Sequence, residues 1–123
     1  MKLFHSINDF SSPKKTILTL GTFDGVHIGH QKILSKLVEE ANAVHYESLV
    51  LTFFPHPRMV LGKENTIKLI NTIEEKKLVL EAIGIDHLIV HEFDTDFANL
   101  TALDFVEKIL VGKFNVGKII IGY

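Results

Sequence analysis

The chain has 123 residues, of which 46% are hydrophobic and 23% charged, and its formal net charge is −2. This composition is typical of one globular domain and excludes an intrinsically disordered chain. No basic cluster indicates nucleic-acid binding, no apolar run approaches the roughly 20 residues of a membrane helix, and no signal peptide is recognisable. Because cysteine is absent, disulfides and cysteine nucleophiles are excluded. We therefore expect a cytoplasmic protein that binds neither nucleic acid nor membranes.

Strand and helix patterns alternate along the chain. An extra strand or arm is expected before Lys14. The predicted strands are then 16–22, 48–54, 87–93 and 118–122, and the predicted helices are 29–43, 72–83 and 101–114. The helical stripes interpreted as core are Ile33, Leu34, Leu37, Val38 and Ala41 in the first helix, Leu78, Val79, Ala82 and Ile83 in the second, and Ala102, Phe105, Val106, Ile109 and Leu110 in the third.

Local signals support the ends of two of these helices. Thr72 and Thr101 are predicted N-caps, because each precedes an acidic residue by three positions. Gly84 is predicted to end the second helix in the left-handed conformation. The connection 55–71 exceeds the usual two to six residues of a strand-to-helix loop, so it is a candidate lid or binding loop.

The alternation predicts an α/β fold with an open parallel sheet and helices on both of its faces. Numbering the four predicted strands in sequence, the expected order across the sheet is 3-2-1-4. Ligands of such sheets bind at the carboxyl ends of the strands, where the strand order reverses. That crevice would lie between the first and fourth predicted strands, beside Gly122 and Tyr123.

Residues 21–30, GTFDGVHIGH, lead from the first predicted strand into the first predicted helix. Gly21, Gly25 and Gly29 allow a tight turn and a close approach of ligand to backbone. The N-terminus of a helix attracts anions, and His27 and His30 share one helical face, from which they can donate hydrogen bonds to phosphate. A metal site on the two histidines is the alternative, but no third ligand has an obvious place nearby.

A second segment, LTFFPHP at 51–57, ends the second predicted strand. Taken alone, its two prolines indicate a rigid exit from the strand, because both restrict the backbone. The sequence has neither the GxGxxG pattern of dehydrogenases nor the GxxxxGK[ST] loop of ordinary ATPases. His5, His45, His87 and His91 are interpreted as ordinary surface or core residues, and Asp94 and Asp96 as loop and turn residues.

The segment GTFDGVHIGH resembles the HxGH signature of the nucleotidyltransferase superfamily. Together with the Pro-His-Pro at 55–57 and the segment FDTDFANLTALDFV, it is similar to the FAD synthetase module of prokaryotic bifunctional riboflavin kinase/FMN adenylyltransferases. The resemblance implies a Rossmann-like, three-layer α/β/α nucleotidyltransferase fold, truncated after the fourth strand. Residues 1–123 are then expected to form one C-terminally incomplete domain, without the riboflavin kinase domain and without the later Ser/Thr…Arg motif.

The resemblance also implies an activity, the transfer of an adenylyl group from ATP to FMN that yields FAD and pyrophosphate. The partners would be ATP, with Mg²⁺, and FMN or FAD, and no metal would be held by the protein itself. Lys68 is a weaker candidate for closing over phosphates. The implied catalytic residues are His27 and His30; the nucleotide-binding residues are Gly21, Thr22, Phe23, Asp24, Gly25, His27, Gly29 and His30; and the flavin-binding residues are Phe54, Pro55, His56, Pro57 and Arg58.

Three other functions remain open at this point. The chain can be another HxGH nucleotidyltransferase, of the cytidylyl or pantetheine-phosphate type, a nucleotide-binding fragment without turnover, or a plain interaction domain. The apolar segment 118–123 is expected to leave an unpaired sheet edge and to cause self-association.

Overall fold

The computed structural model describes residues 1–21, 28–53, 73–92 and 94–121, with only the helical backbone at 28–30 and 73–76. The described strands are β1 (Lys2–Phe4), β2 (Thr16–Leu20), β3 (Glu47–Phe53), β4 (His87–His91) and β5 (Val116–Ile119). The described α-helices are α1 (Ile28–Val44), α2 (Ile73–Ile83), α3 (Thr95–Ala98) and α4 (Ala102–Asp104). A π-helix, Phe105–Val111, continues α4, and a 3₁₀ turn, Ile7–Asp9, follows β1.

The strands form one sheet in the order β1-β4-β3-β2-β5, and every described pair is parallel. The predicted order 3-2-1-4 is confirmed, because it corresponds to β4-β3-β2-β5. The extra strand expected before Lys14 is β1, which extends the sheet beyond β4.

Helices cover both faces of this sheet. Neighbouring residues of one strand point to opposite sides, so Ile17 packs on the face covered by α1 and α2, and Leu18 on the face covered by the π-helix. Leu34, Leu37 and Ala41 of α1 are fully buried on the first face. The predicted three-layer arrangement and the predicted core stripe of the first helix are therefore confirmed.

The last strand begins earlier than predicted. β5 starts at Val116 rather than at residue 118, and its pairing with β2 contains a bulge at Gly117. A Cβ atom at Gly117 would lie 2.8 Å from the Tyr46 ring, so close packing requires glycine there. The glycine interrupts the apolar pattern without interrupting the strand, which explains the wrong boundary. The predicted strand ends at Thr22, Phe54, Phe93 and Gly122 lie outside the described residues.

The third predicted helix is present, but it is not a regular α-helix as predicted. Residues 101–114 form α4, then a π-helix in which the Gly112 amide donates to Glu107 O at 3.1 Å, five residues back. The wider turn moves side chains off a 3.6-residue stripe. Val106, predicted as core, is therefore 45% exposed, and Ala102 is also exposed. Ile109 and Leu110 are buried as predicted. α3 was not predicted.

The second predicted helix has the right position, but its core residue is wrong. Leu78 is 67% exposed, Ala82 is also exposed, and Leu80 is buried instead. Residues 78–80 are all apolar, so the helical period does not show which of them faces the core. The structure at the end of the helix determines that it is Leu80. The amides of Gly84 and Ile85 both donate to Leu80 O, at 3.2 Å each, so Ile85 packs back on Leu80. Thr72, the predicted N-cap, lies outside the described residues.

Helices α1 and α2 end in the same way. The Gly84 φ of +105° confirms the predicted left-handed end of α2. His45 holds the equivalent position after α1 with φ +60°, and the Tyr46 amide donates to Ala41 O at 2.9 Å. This pattern is the Schellman motif. A non-glycine residue is strained in this conformation, so α1 ends at a cost that α2 avoids.

We expect His45→Gly to stabilise the chain by about 1 kcal/mol, because glycine adopts the left-handed conformation without strain. The matched control is Gly84→Ala, whose new Cβ would lie 3.6 Å from Val38, an ordinary contact. That variant should lose about 1 kcal/mol through backbone strain alone. Urea denaturation measures both changes. A lower unfolding midpoint for His45→Gly would contradict the assignment.

Candidate functional site at the carboxyl ends of the strands

The carboxyl ends of β2 and β3 meet at one edge of the sheet. The Gly21 amide donates to Leu51 O at 3.1 Å, which extends the pairing one residue beyond β2. The helix α1 then begins at Ile28, so Gly29 and His30 lie in its first turn and His27 directly precedes it in sequence. The predicted position of the motif, between a strand end and a helix start, is confirmed.

The first turn of α1 has the chemistry of an anion site. The first four amide N–H groups of a helix lack partners within the helix, and the helix dipole places partial positive charge at the same end. The 17 residues of α1 are enough for a full dipole. This turn therefore has the unpaired donors and the partial charge that favour a phosphate group.

Most of the predicted site side chains lie outside what the structure describes, and their roles stay predictions. They are Thr22, Phe23, Asp24, Gly25, His27, Phe54, Pro55, His56, Pro57, Arg58 and Lys68, together with the side chain of His30. Of the predicted site residues, the structure describes Gly21, which pairs with Leu51 of β3, and the backbone of Gly29 and His30 in the first turn of α1.

A cavity of about 260 Å³, here called the aromatic cavity, lies against the ends of β2 and β3. Its lining residues come from two strand ends and from the region of α3 and α4. They are Leu20, Phe53, Phe97, Leu100, Thr101, Ala102 and Phe105. The volume is slightly below the usual range for small-molecule sites, about 300–1,000 Å³, and the lining is mostly apolar. Such a cavity suits a flat aromatic ring.

Phe97 holds the rings of this cavity together. Its centroid lies 5.2 Å from that of Phe53 and 5.7 Å from that of Phe105, with the second pair nearly perpendicular at 81°. These are favourable aromatic geometries. Asp94 fixes Phe97 from the backbone, because its carboxylate accepts the Phe97 amide at 2.8 Å and caps α3. The interpretation of Asp94 as a loop residue is therefore incomplete.

The next cap confirms a prediction. The Thr101 hydroxyl accepts the Asp104 amide at 3.1 Å, as the spacing of the two residues predicted. Thr101 also lines the aromatic cavity, so the cap that begins α4 helps to place the cavity wall.

His91 supports the aromatic cavity from behind. Its ring centroid lies 5.0 Å from that of Phe97, and its Nδ1 accepts the Ile7 amide at 3.1 Å. The imidazole is therefore neutral, with its proton on Nε2. Burial lowers the pKa of His91 from the usual 6.5, and the negative charges of Asp94 and Glu92 oppose this shift. The interpretation of His91 as an ordinary residue missed this contact.

The aromatic cavity was not found from the sequence. The helical pattern places Phe105 in a core stripe, and Phe97 lies in the segment FDTDFANLTALDFV, which contributes only to the family resemblance. The available signal was modest: Phe53 ends a strand, and Phe97 and Phe105 follow residues that favour helix caps. Their meeting depends on contacts between residues far apart in sequence, which no local pattern reports.

Within 1–21, 28–53, 73–92 and 94–121, no three histidine or acidic side chains cluster as metal ligands. His27 and Asp24 lie outside these ranges, so the prediction that the protein itself holds no metal stays a prediction. The same described residues include no helix long and apolar enough to cross a membrane.

The chain resembles known proteins over nearly its full length. A family model described as FAD synthetase matches residues 9–123. The bifunctional riboflavin kinase/FMN adenylyltransferase of Buchnera aphidicola subsp. Schizaphis graminum is 33% identical, over 99% of this chain and 39% of that protein. The protein of the same name from Bacillus subtilis strain 168 is 36% identical, over 89% of this chain and 34% of its own length. The chain thus spans little more than a third of these relatives.

One solved structure has the same fold. It is named as a macrolide-efflux protein from Streptococcus pneumoniae, and it superposes with a TM-score of 0.85 at 26% identity. The match covers 97% of this chain and 46% of that one. The arrangement of strands and helices described above is therefore an established fold, and it supports the Rossmann-like assignment.

We expect the chain to become less stable in acid partly through His91. Because its folded pKa is lowered, the unfolded chain binds the proton more readily, so this contribution is complete above about pH 6.5 and is lost as the pH falls. His91→Asn keeps an acceptor for the Ile7 amide but does not titrate. The difference in unfolding midpoint between wild type and variant should shrink from pH 7.5 to pH 5. His5→Asn controls for loss of one imidazole, and a constant difference would refute the role of His91.

Proposed function

The chain belongs to the FAD synthetase family, and we propose that it transfers the adenylyl group of ATP to FMN, forming FAD and pyrophosphate. One observation carries the proposal beyond the family match. Leu20, in the aromatic cavity, directly precedes Gly21, which opens the segment leading to the anion-binding turn of α1. An apolar, aromatic-lined cavity together with a phosphate site at the start of α1 would match the two halves of a flavin nucleotide.

In this reaction an oxygen of the FMN phosphate attacks the α-phosphorus of ATP. The bond from that phosphorus to the oxygen bridging to the β-phosphate breaks, and pyrophosphate leaves with the electron pair. The attacking phosphate is already an anion at neutral pH, so no strong general base is required. The protein must instead align two anions and reduce their repulsion.

The start of α1 is proposed to meet this demand. Its unpaired amides and partial positive charge would hold the phosphates of ATP, and His27 and His30 would donate hydrogen bonds as charge moves to the leaving pyrophosphate. The nucleotide would contact residues 21–25 and Gly29. Mg²⁺ would enter bound to the phosphates of ATP, as part of the substrate.

The flavin ring is proposed to occupy the aromatic cavity, against the edge of the Phe53 and Phe97 pair. The segment 54–58, which directly follows Phe53, would complete the site by resemblance to the family. This arrangement differs from that expected of a cytidylyl or pantetheine-phosphate enzyme, whose acceptors have no tricyclic ring to fill an apolar cavity.

The cytoplasm is the proposed location.

We expect His27→Ala and His30→Ala each to reduce FAD formation by about 100-fold or more, because each removes a donor to the developing charge. FAD and pyrophosphate release are measured with ATP, Mg²⁺ and FMN, and ATP binding is measured in parallel. His5→Ala is the matched control. Unchanged rates in both variants would refute the catalytic assignment. ATP binding without pyrophosphate release in the wild-type chain would select nucleotide binding without turnover.

We expect Phe97→Ala to weaken FMN binding about tenfold, since the ring contacts of the aromatic cavity are lost, and to leave ATP binding unchanged. Quenching of flavin fluorescence measures the first affinity and calorimetry the second. Leu103→Ala, at a side chain 65% exposed on α4, should leave both affinities unchanged. Equal FMN affinity in wild type and Phe97→Ala would place the flavin elsewhere.

A further inference from the structure

The wall of the aromatic cavity rests on a group that can change its charge. Phe97 contacts the rings of Phe53 and Phe105, and it also contacts the imidazole of His91, with 5.0 Å between the ring centroids and 53° between the ring planes. A phenylalanine ring is the same at every pH, whereas an imidazole gains a proton and a positive charge near neutral pH. His91 is therefore a contact of Phe97 whose chemistry changes with pH.

A hydrogen bond to the Ile7 amide sets the orientation of the His91 ring. Nδ1 accepts this amide at 3.1 Å, and the His91 backbone is held in β4 by its pairing with Phe53. Ile7 begins the 3₁₀ turn, in which the next two amides donate to Ser6. The Ile7 amide takes its acceptor from β4 instead. Because the Ile7 side chain is buried in the core, the turn cannot follow a ring that moves.

Protonation of His91 would remove this hydrogen bond. A neutral imidazole has one acceptor nitrogen, whereas both nitrogens of an imidazolium are donors. The Nδ1–H group would then face the Ile7 N–H group across 3.1 Å. Turning the ring by 180° does not help, because it presents the other N–H group. The charged ring must therefore rotate away from Ile7, and this rotation removes it from its contact with Phe97.

Burial and two carboxylates set the pH at which this change occurs. Burial lowers the pKa of His91 from the usual 6.5, and the charges of Asp94 and Glu92 oppose the shift. The adjacent part of β3 carries no charge. Exposed titratable groups on the other described elements around the ring are His5, which precedes the 3₁₀ turn, Asp9 within it and Asp96 in α3. The ring is therefore neutral at pH 7.5 and gains its charge below about pH 6.5.

We propose that His91 is a positioning residue for the flavin ring, which it serves by holding Phe97 in the wall of the aromatic cavity only while the imidazole is neutral. Binding of the ring is then linked to loss of the His91 proton. The linkage is reciprocal, so bound flavin must oppose protonation of His91 by the same factor by which protonation weakens flavin binding. This inference rests on the proposed function, because it takes the flavin as the occupant of the cavity.

The test uses riboflavin, which has the flavin ring but no phosphate group. The titration of the FMN phosphate, and that of His27 and His30 beside it, are thereby kept out of the measurement. Fluorescence quenching gives the dissociation constant from pH 8 to pH 5, and circular dichroism verifies at each pH that the chain is folded. The dissociation constant should be unchanged above pH 7 and should rise at least about threefold by pH 5. An NMR titration of the His91 ring protons should have a lower midpoint with saturating riboflavin than without it.

Two pairs of variants assign the effect to His91. His91→Asn keeps an acceptor for the Ile7 amide but does not titrate, so its riboflavin affinity should not vary with pH, whereas His5→Asn should behave as wild type. Asp94→Asn keeps a residue that caps helices well but removes a charge that favours the imidazolium. Its midpoint should therefore move to lower pH. Asp96→Asn, exposed on the same helix, should leave the midpoint unchanged.

The outcomes separate this inference from the proposed function. If riboflavin binds at pH 7.5 and FAD is formed, but the riboflavin affinity is constant down to pH 5, this inference alone is wrong. It is also wrong if His91→Asn keeps the pH dependence of the wild type, or if riboflavin leaves the His91 midpoint unchanged. A chain that binds neither riboflavin nor FMN at pH 7.5 would overturn the flavin site, and this inference with it.

Discussion

The pairing of β2 with β3 is the interaction on which the rest of the structure depends. It runs in register from Thr16 opposite Glu47 to Leu20 opposite Leu51, and the Gly21 amide adds one further bond to Leu51 O. Both strands are buried on both faces, so a slip of one residue would place every core side chain on the wrong side. This register brings Leu20 and Phe53 to the same edge, where the aromatic cavity lies.

The amino-terminal edge of the sheet holds that register from the other side. The Asp86 carboxylate accepts hydrogen bonds from the Ser48 amide and hydroxyl. The backbone amide of Asp86 donates to Ser48 Oγ at 2.8 Å, and the backbone carbonyl of Asp86 accepts the Lys2 amide at 3.0 Å. One residue therefore joins the starts of β1, β3 and β4. Since parallel strands all begin at this edge, a connection made here aligns the opposite ends as well, where ligands bind.

The sheet was predictable because its signal is local and strong. Consecutive buried residues such as Ile17 and Leu18 mark strands covered on both faces, and the alternation with helices leaves few possible strand orders. The errors occur where local pattern is ambiguous. Leu78 and Leu80 are both leucines in one apolar run, so the sequence does not show which of them faces the core. The packing of Ile85 after Gly84 decides that Leu80 is the buried one. The prediction that Val106 is buried is wrong because the π-helix changes the number of residues per turn.

The two halves of the candidate site differ in the same respect. The phosphate-binding half could be interpreted from the sequence because the glycines, the histidines and the helix start all lie in one contiguous segment, GTFDGVHIGH. The aromatic cavity could not, because Phe53, Phe97 and Phe105 come from a strand, a short helix and the start of a π-helix. The same reasoning explains why His91 was missed. Its support for Phe97 requires the Ile7 amide, 84 residues away in sequence, and the β1–β4 pairing that brings the amide to it. Residues that position a site through such contacts are visible only once the sheet has placed them.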